Sequence, residues 1–178
     1  EAAGDDRALF NGVNRTLDND DVATFKSGFG VAKFTNFKTD GSAGHDATFP
    51  DADFFLMRAA EAYLNFAEAD ARINGGQTTK EGTEAINAIR KRANASPRED
   101  KGYSLNDICD EWSREFYFEG RRRMDLIRFN RFGGNVNYNW QWKGGTKEGR
   151  NFSKDLNIFA IPTNELTSNK NLIQNPGY

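Results

Sequence analysis

The side chains best placed to act on one another lie between Ser104 and Phe129, SLNDICDEWSREFYFEGRRRMDLIRF. Glu115 and Glu119 stand four apart, with Glu111 before them. On a helix that spacing brings two carboxylates to one face, the raw material of a hydrolytic acid–base pair. The arginines crowding them argue the other way, because nearby cations favour the ionised carboxylate and a general acid must hold its proton. No nucleophile elbow, metal-binding motif or glycine-rich phosphate loop accompanies them. His45 is the only histidine and cannot assemble a zinc site of the usual composition, so it is read as a loop residue. Cys109 is the only cysteine; it excludes an internal disulfide and falls on an apolar helical face, where a small core residue is expected. These residues predict no enzyme, no metal and no cofactor.

A second kind of chemistry is suggested by residues 133–152, GGNVNYNWQWKGGTKEGRNF. Tyr138, Trp140 and Trp142 alternate, so on extended backbone their rings would point to one side. Aromatic faces beside the Asn139 amide are the components of a sugar site: flat platforms for C–H faces, and paired donor and acceptor groups for hydroxyls. The same rings could instead lie inward as a lid over the neighbouring helices. Both readings, ligand platform and structural lid, stay open on the sequence.

The elements that must position these residues are helical. Leu105, Ile108, Cys109, Trp112 and Phe116 share one face of a helix that Ser104 caps and Asp107 supports in its first turn. Gly120 interrupts the pattern, and Met124, Leu126, Ile127 and Phe129 resume it. The charges pair at helical spacing: Asp110 with Arg114, Glu119 with Arg123, Arg121 with Asp125, Asp125 with Arg128. On a surface each pair contributes roughly 0.2–0.5 kcal/mol. Glu115, Glu119, Arg121, Arg123, Asp125 and Arg128 are therefore expected to form a structural ion network that pins the helix pair.

Upstream, a helix is expected from the Pro50–Asp53 region to Ile73, ended by Asn74-Gly75-Gly76. Thr78 and Glu81 read as a capping box opening a second helix that runs to Ala93. Together they make an αα-hairpin, and one or two such hairpins fall short of the three or so that stacked arrays need. Residues 1–50 are read as a loop-rich segment with short strands, with Phe29, Val31, Phe34 and Phe37 suggesting a hairpin. Residues 51–178 are read as a helical domain whose last stretch, from 155, is an extended strap with a helical turn at Asn164 and Glu165. The fold class is mainly α: tetratricopeptide-like αα-hairpins, long irregular loops and a few short strands.

With 178 residues the chain can bury a core, and its formal charge of −2 argues against a nucleic-acid binder, whose footprint is usually a basic face. Its apolar runs are too short to span a membrane, and its first residues do not form a signal peptide.

Five segments carry a resemblance: EAYLNFAEA (61–69), INAIRKRA (86–93), REFYFEGRRRMDLIRF (114–129), FAIPTNEL (159–166) and NKNLIQNPGY (169–178). In this order they resemble the C-terminal part of SusD/RagB proteins, over roughly residues 51 to 178. The resemblance implies an α/α superhelix of helix pairs covered by loops. It also implies non-catalytic binding of oligosaccharide at the bacterial cell surface and its delivery to a SusC-like TonB-dependent transporter. Such proteins are outer-membrane lipoproteins of Bacteroidetes, so the resemblance implies a longer parent whose anchor region lies outside these residues. By the same resemblance, tryptophan-rich phrases are common near residue 140 and most glycan contacts lie upstream. The competing expectation is a helical-repeat scaffold that binds a protein and no sugar.

Overall fold

The computed structural model describes residues 4–134 and 137–178. They divide into two compact units, Glu1–Arg121 and Arg122–Tyr178. The expected boundary near residue 50 lies inside the first unit, because the loop-rich segment is bonded to the helices that follow it.

In the first unit a two-residue strand, β1 (Phe10–Asn11), pairs antiparallel with β2 (Gly30–Val31), Phe10 opposite Val31. Three helices follow: α1 (Ala59–Ile73), α2 (Lys80–Arg92) and α3 (Leu105–Phe116). Helix α1 packs against both α2 and α3. Leu64, Ala67 and Ala71 of α1, Ile86 and Ile89 of α2, and Ile108, Cys109, Trp112 and Phe116 of α3 are buried together. These positions recur at three- and four-residue steps, which is why the segments are helical and why they meet on these faces. The outward faces of the α1–α2 hairpin stay apolar: Tyr63 and Phe66 are exposed, beside a shallow hollow also lined by Ala62 and Ala85.

Several boundaries differ from the sequence pattern. Helix α1 begins at Ala59, not near Asp51 or Asp53: residues 51–57 form no helix, and Arg58 is extended at φ −135°, ψ 151°. The Arg58 guanidinium is drawn to Glu115 and Glu119, which fixes its backbone outside the helix. Thr79, not Thr78, occupies the start of α2. The Thr79 N–H and hydroxyl both donate to Asp70 of α1, at 2.7 and 3.0 Å. The Thr78 hydroxyl is instead shared between Thr83 and the Tyr103 N–H. The α1–α2 turn closes as expected on Gly75 and Gly76, both at positive φ, with Gly76 N–H donating to Ala71 O. Ser104 caps α3 with a reciprocal bond to Asp107. Helix α3 stops at Phe116, and Tyr117 to Gly120 form the break, with Phe118 and Gly120 both left-handed.

In the second unit α4 (Arg122–Arg128) is followed by irregular chain, two short 3₁₀ turns and α5 (Thr163–Ser168), which Pro162 leads. The tail is not a fully extended strap; it folds on itself. Gln174 accepts from the Ile161 N–H and donates to the Ile161 carbonyl, and Asn175 donates to Phe159 O. Among the described residues no helix is long and apolar enough to cross a membrane.

Candidate functional site

Glu111 and Glu115 stand one turn apart on α3, and Glu119 follows in the turn beyond it. All three are buried, and each is surrounded by cations. Glu111, with no exposed surface, accepts from Arg7 Nη1 at 2.7 Å, Arg90 Nη1 at 2.7 Å and Arg114 Nη2 at 2.8 Å. Glu115 accepts from Arg58 Nη1 at 2.8 Å and from Arg92 Nη2 at 2.7 and 2.8 Å, with Arg7 at 3.3 Å. Glu119 accepts from Lys33 Nζ at 2.5 Å and from Arg58 Nε and Nη2 at 2.8 Å each. Burial by itself would raise the Glu111 and Glu119 carboxyls. For Glu111 the charges of Arg7 and Arg114, and for Glu119 the bonds from Arg58 and Lys33, outweigh it and hold both below the usual carboxylate range. Arg58 and Arg7 are raised in turn: burial would lower each, and their carboxylate partners overcome it.

Rings complete the arrangement. The Arg58 guanidinium lies 4.1 Å from the Phe116 ring centroid, and that of Arg121 lies 4.5 Å from Trp112 and 5.0 Å from Phe116. Trp112 is fully buried and donates Nε1–H to Glu68 at 3.0 Å, and Arg72 caps the other oxygen of that carboxylate at 2.8 Å. A hollow of about 390 Å³ opens beside this ladder, lined by Arg7, Lys33, Phe34, Arg58, Glu115 and Tyr117 among others.

The residues expected to form one ion network fall in two separate groups, each with partners inside its own unit. Glu115 and Glu119 use Arg7, Lys33, Arg58 and Arg92, and Arg121 pairs with Glu61 at 2.6 Å. In the second unit Arg123 donates to the carbonyls of Leu156 and Asn157 and lies 3.8 Å from the Phe159 ring centroid. Asp125 is buried, with Arg128 at 2.9 Å, as the three-residue spacing suggested. Arg114 reaches Glu111, three residues back. The pattern at four-residue spacing gave no indication of Arg7, Lys33, Arg58, Arg90 or Arg92. A single cation in an irregular stretch carries no local signal of its partner.

The aromatic loop is built around a lysine. Lys143 is 1% exposed; its Nζ donates to Tyr138 O at 2.7 Å and Asn151 Oδ1 at 3.3 Å. It also lies 4.8 Å from the Trp140 ring centroid and 5.4 Å from that of Phe152. Burial pushes its ammonium below the ordinary lysine value. Trp140 stacks on Phe132 and meets Tyr138 edge-on, while the Tyr138 hydroxyl accepts from Arg122 and its ring lies under Arg131. Trp142 adopts φ 66°, in the left-handed region, so the alternation that would align all three rings is broken there. Asn139 is exposed. Asn135 and Val136, just before this stretch, lie outside the described residues. His45 is exposed, and Cys109 is buried. Among the described residues no group of three or more His, Cys, Asp or Glu side chains could hold a metal ion.

Known proteins resemble this chain in sequence and in fold. The chain is 43% identical over 182 residues to the starch-binding protein SusD of Bacteroides thetaiotaomicron, covering 100% of this chain and 32% of that protein. It thus spans about a third of the length of that relative. Among solved structures, a putative sugar binding protein from Bacteroides vulgatus aligns over 84% of this chain and 33% of its own, with 27% identity and a TM-score of 0.60. A SusD superfamily protein from the same species aligns over 99% of this chain and 36% of its own, with a TM-score of 0.66 at 23% identity, which speaks for the fold. The SusD family model matches residues 2–178, essentially every residue that builds the hairpin, the glutamate ladder and the aromatic loop, and the chain belongs to the SusD family.

Proposed function

We propose that this chain is the helical scaffold portion of a non-catalytic oligosaccharide-binding protein of the outer-membrane surface, which passes its ligand to a SusC-type TonB-dependent transporter. The observation that carries the reading is the 43% identity, along the whole chain, to a starch-binding protein. The geometry agrees with a binding scaffold. Each ladder carboxylate accepts bonds from at least two cations, which makes it a tie between segments, and the cations around Glu111 and Glu119 hold those two below the usual carboxylate range. A general acid needs the opposite environment.

The aromatic loop serves this scaffold as a lid in our reading. Trp140 is held between Phe132, Tyr138 and Lys143, so much of its surface is engaged within its own unit. The test is a titration of the full-length protein with maltooligosaccharides and a wider glycan panel, read by calorimetry. Saturable binding supports the assignment, and no binding to any glycan refutes it. Trp140→Ala separates the two roles of the loop. A lid residue lowers thermal stability and leaves affinity within about twofold. A platform residue weakens binding roughly tenfold or more, with stability held, as expected for stacking against an aromatic ring.

A further inference from the structure

The loop-rich segment before α1 is attached to the helices differently from the way the helices are attached to each other. None of its described residues, 4 to 58, is buried. Val13, Leu17, Val22, Phe25, Phe37 and Phe49 expose from 66% to 88% of their surface. Its attachments to α3 and the turn beyond are dominated by three cations, spread along its length, that end on the buried glutamates. Arg7 reaches Glu111 and Glu115. Lys33 reaches Glu119 and the carbonyls of Glu115 and Tyr117. Arg58 reaches Glu115, its carbonyl and Glu119. Other attachments include Phe10 stacked on Tyr117 at 5.3 Å, the Tyr117 hydroxyl donating to Arg7 O, Asp6 N–H donating to Ala93 O, and the Asn94 amide donating to the Asp6 carboxylate.

We propose that residues 4–58 form an acid-releasable strap: protonation of Glu111 and Glu119 detaches them as a unit, while α1, α2 and α3 stay packed. The asymmetry follows from what each part uses for cohesion. Burial of Leu64, Ala67, Ile86, Ile108 and Trp112 does not depend on pH, whereas a protonated carboxyl loses its charge-assisted bonds. The groups paired with each carboxyl are cations: Arg7, Arg90 and Arg114 at Glu111, Arg7, Arg58 and Arg92 at Glu115, and Lys33 and Arg58 at Glu119, with Arg7 and Arg58 each shared by two neighbouring carboxylates. Asp5 also contacts a strap cation, Arg7. The helix cations Arg90, Arg92 and Arg114 remain on the helices, so they repel the strap cations once the carboxylates between them are neutral. Because Glu111 and Glu119 are held below the ordinary value of 4.5, the release is placed below that pH.

Hydrogen exchange of the full-length protein, followed by mass spectrometry from about pH 7 to pH 3 and corrected for intrinsic rates, tests this. Peptides from 4–58 are expected to lose protection first, by about tenfold or more at a pH where α2 and α3 are still protected, since one charge-assisted bond is equivalent to a tenfold shift or more. Lys33→Met removes a cation that holds Glu119 ionised, so it is expected to move strap release to higher pH and leave α2 exchange unchanged. The proposal is overturned if 4–58 and α3 lose protection in one transition. It is equally overturned if 4–58 is unprotected at pH 7, or if Lys33→Met leaves the strap midpoint where it was.

Discussion

Replacing Glu111 by Gln conserves size and removes one charge from the most enclosed point of the ladder. The carboxylate there has no exposed surface and bonds Arg7, Arg90 and Arg114, whose side chains are 10%, 16% and 31% exposed. An amide offers one acceptor oxygen where the carboxylate offered two, and its NH₂ group faces guanidinium donors. Breaking a buried ion pair from one side costs about 3–5 kcal/mol, because the partner charge is left without compensation. Here the partners are not sealed in: Arg7 keeps Asp5 at 2.7 Å, and Arg114 can turn toward water. The lower end of the range, about 3 kcal/mol, is therefore expected. At about 2–4 °C per kcal/mol for a domain of this size, the melting temperature should fall by roughly 6–12 °C. The matched control is Glu84→Gln, which removes an exposed pair with Lys80 at 3.8 Å. Its effect should lie within about 0.5 kcal/mol. Urea unfolding of the full-length protein, monitored on the buried Trp112, measures both. A loss below about 1 kcal/mol for Glu111→Gln, or equal losses for the two variants, would refute the assignment of the ladder as a buried, mutually dependent network.

Two further outcomes follow from the same geometry. Glu111 and Glu119 are depressed in the folded chain relative to 4.5, so their contribution is present above that pH and is lost as pH falls through their folded values. Urea midpoints should accordingly be flat near neutrality and fall below about pH 4.5, with a shallower fall in Glu111→Gln; a midpoint that rises on acidification would contradict the sign. Ser104→Ala removes the hydroxyl that accepts from Asp107 N–H and should lower stability by about 1 kcal/mol in thermal melts, while Ser104→Asn retains most of it.

Much of the helical framework is legible in the residues alone. The spacing of Ile108, Cys109, Trp112 and Phe116 names the buried face of α3, and Ser104 with Asp107 names its start. Asn74-Gly75-Gly76 names the turn between α1 and α2, and Gly120 the break before α4. These features rest on contacts within a few residues, so the local pattern contains them. The candidate site was legible only as a list of acids. Glu115 and Glu119 stand out, but the four-residue spacing pairs Glu119 with Arg123, whereas the folded chain pairs it with Lys33 and Arg58. Lys143 gave no signal at all: a lysine in a polar loop looks solvated until the rings around it are placed.

What the sequence determined by itself was the buried face of α3, its Ser104 cap and the glycine turn between α1 and α2, because those follow from residues a few positions apart. Tertiary structure alone decided which cations the buried glutamates would take. Arg7 meets Glu111 across 104 residues, Lys33 meets Glu119 across 86, and Arg58 meets Glu115 across 57. It also decided that α1 starts after Arg58 and that Trp142 leaves the line of Tyr138 and Trp140. A buried carboxylate takes the donors that enclose it most fully and exclude water. Which donors those are depends on how distant segments close around α3, and no local spacing records that.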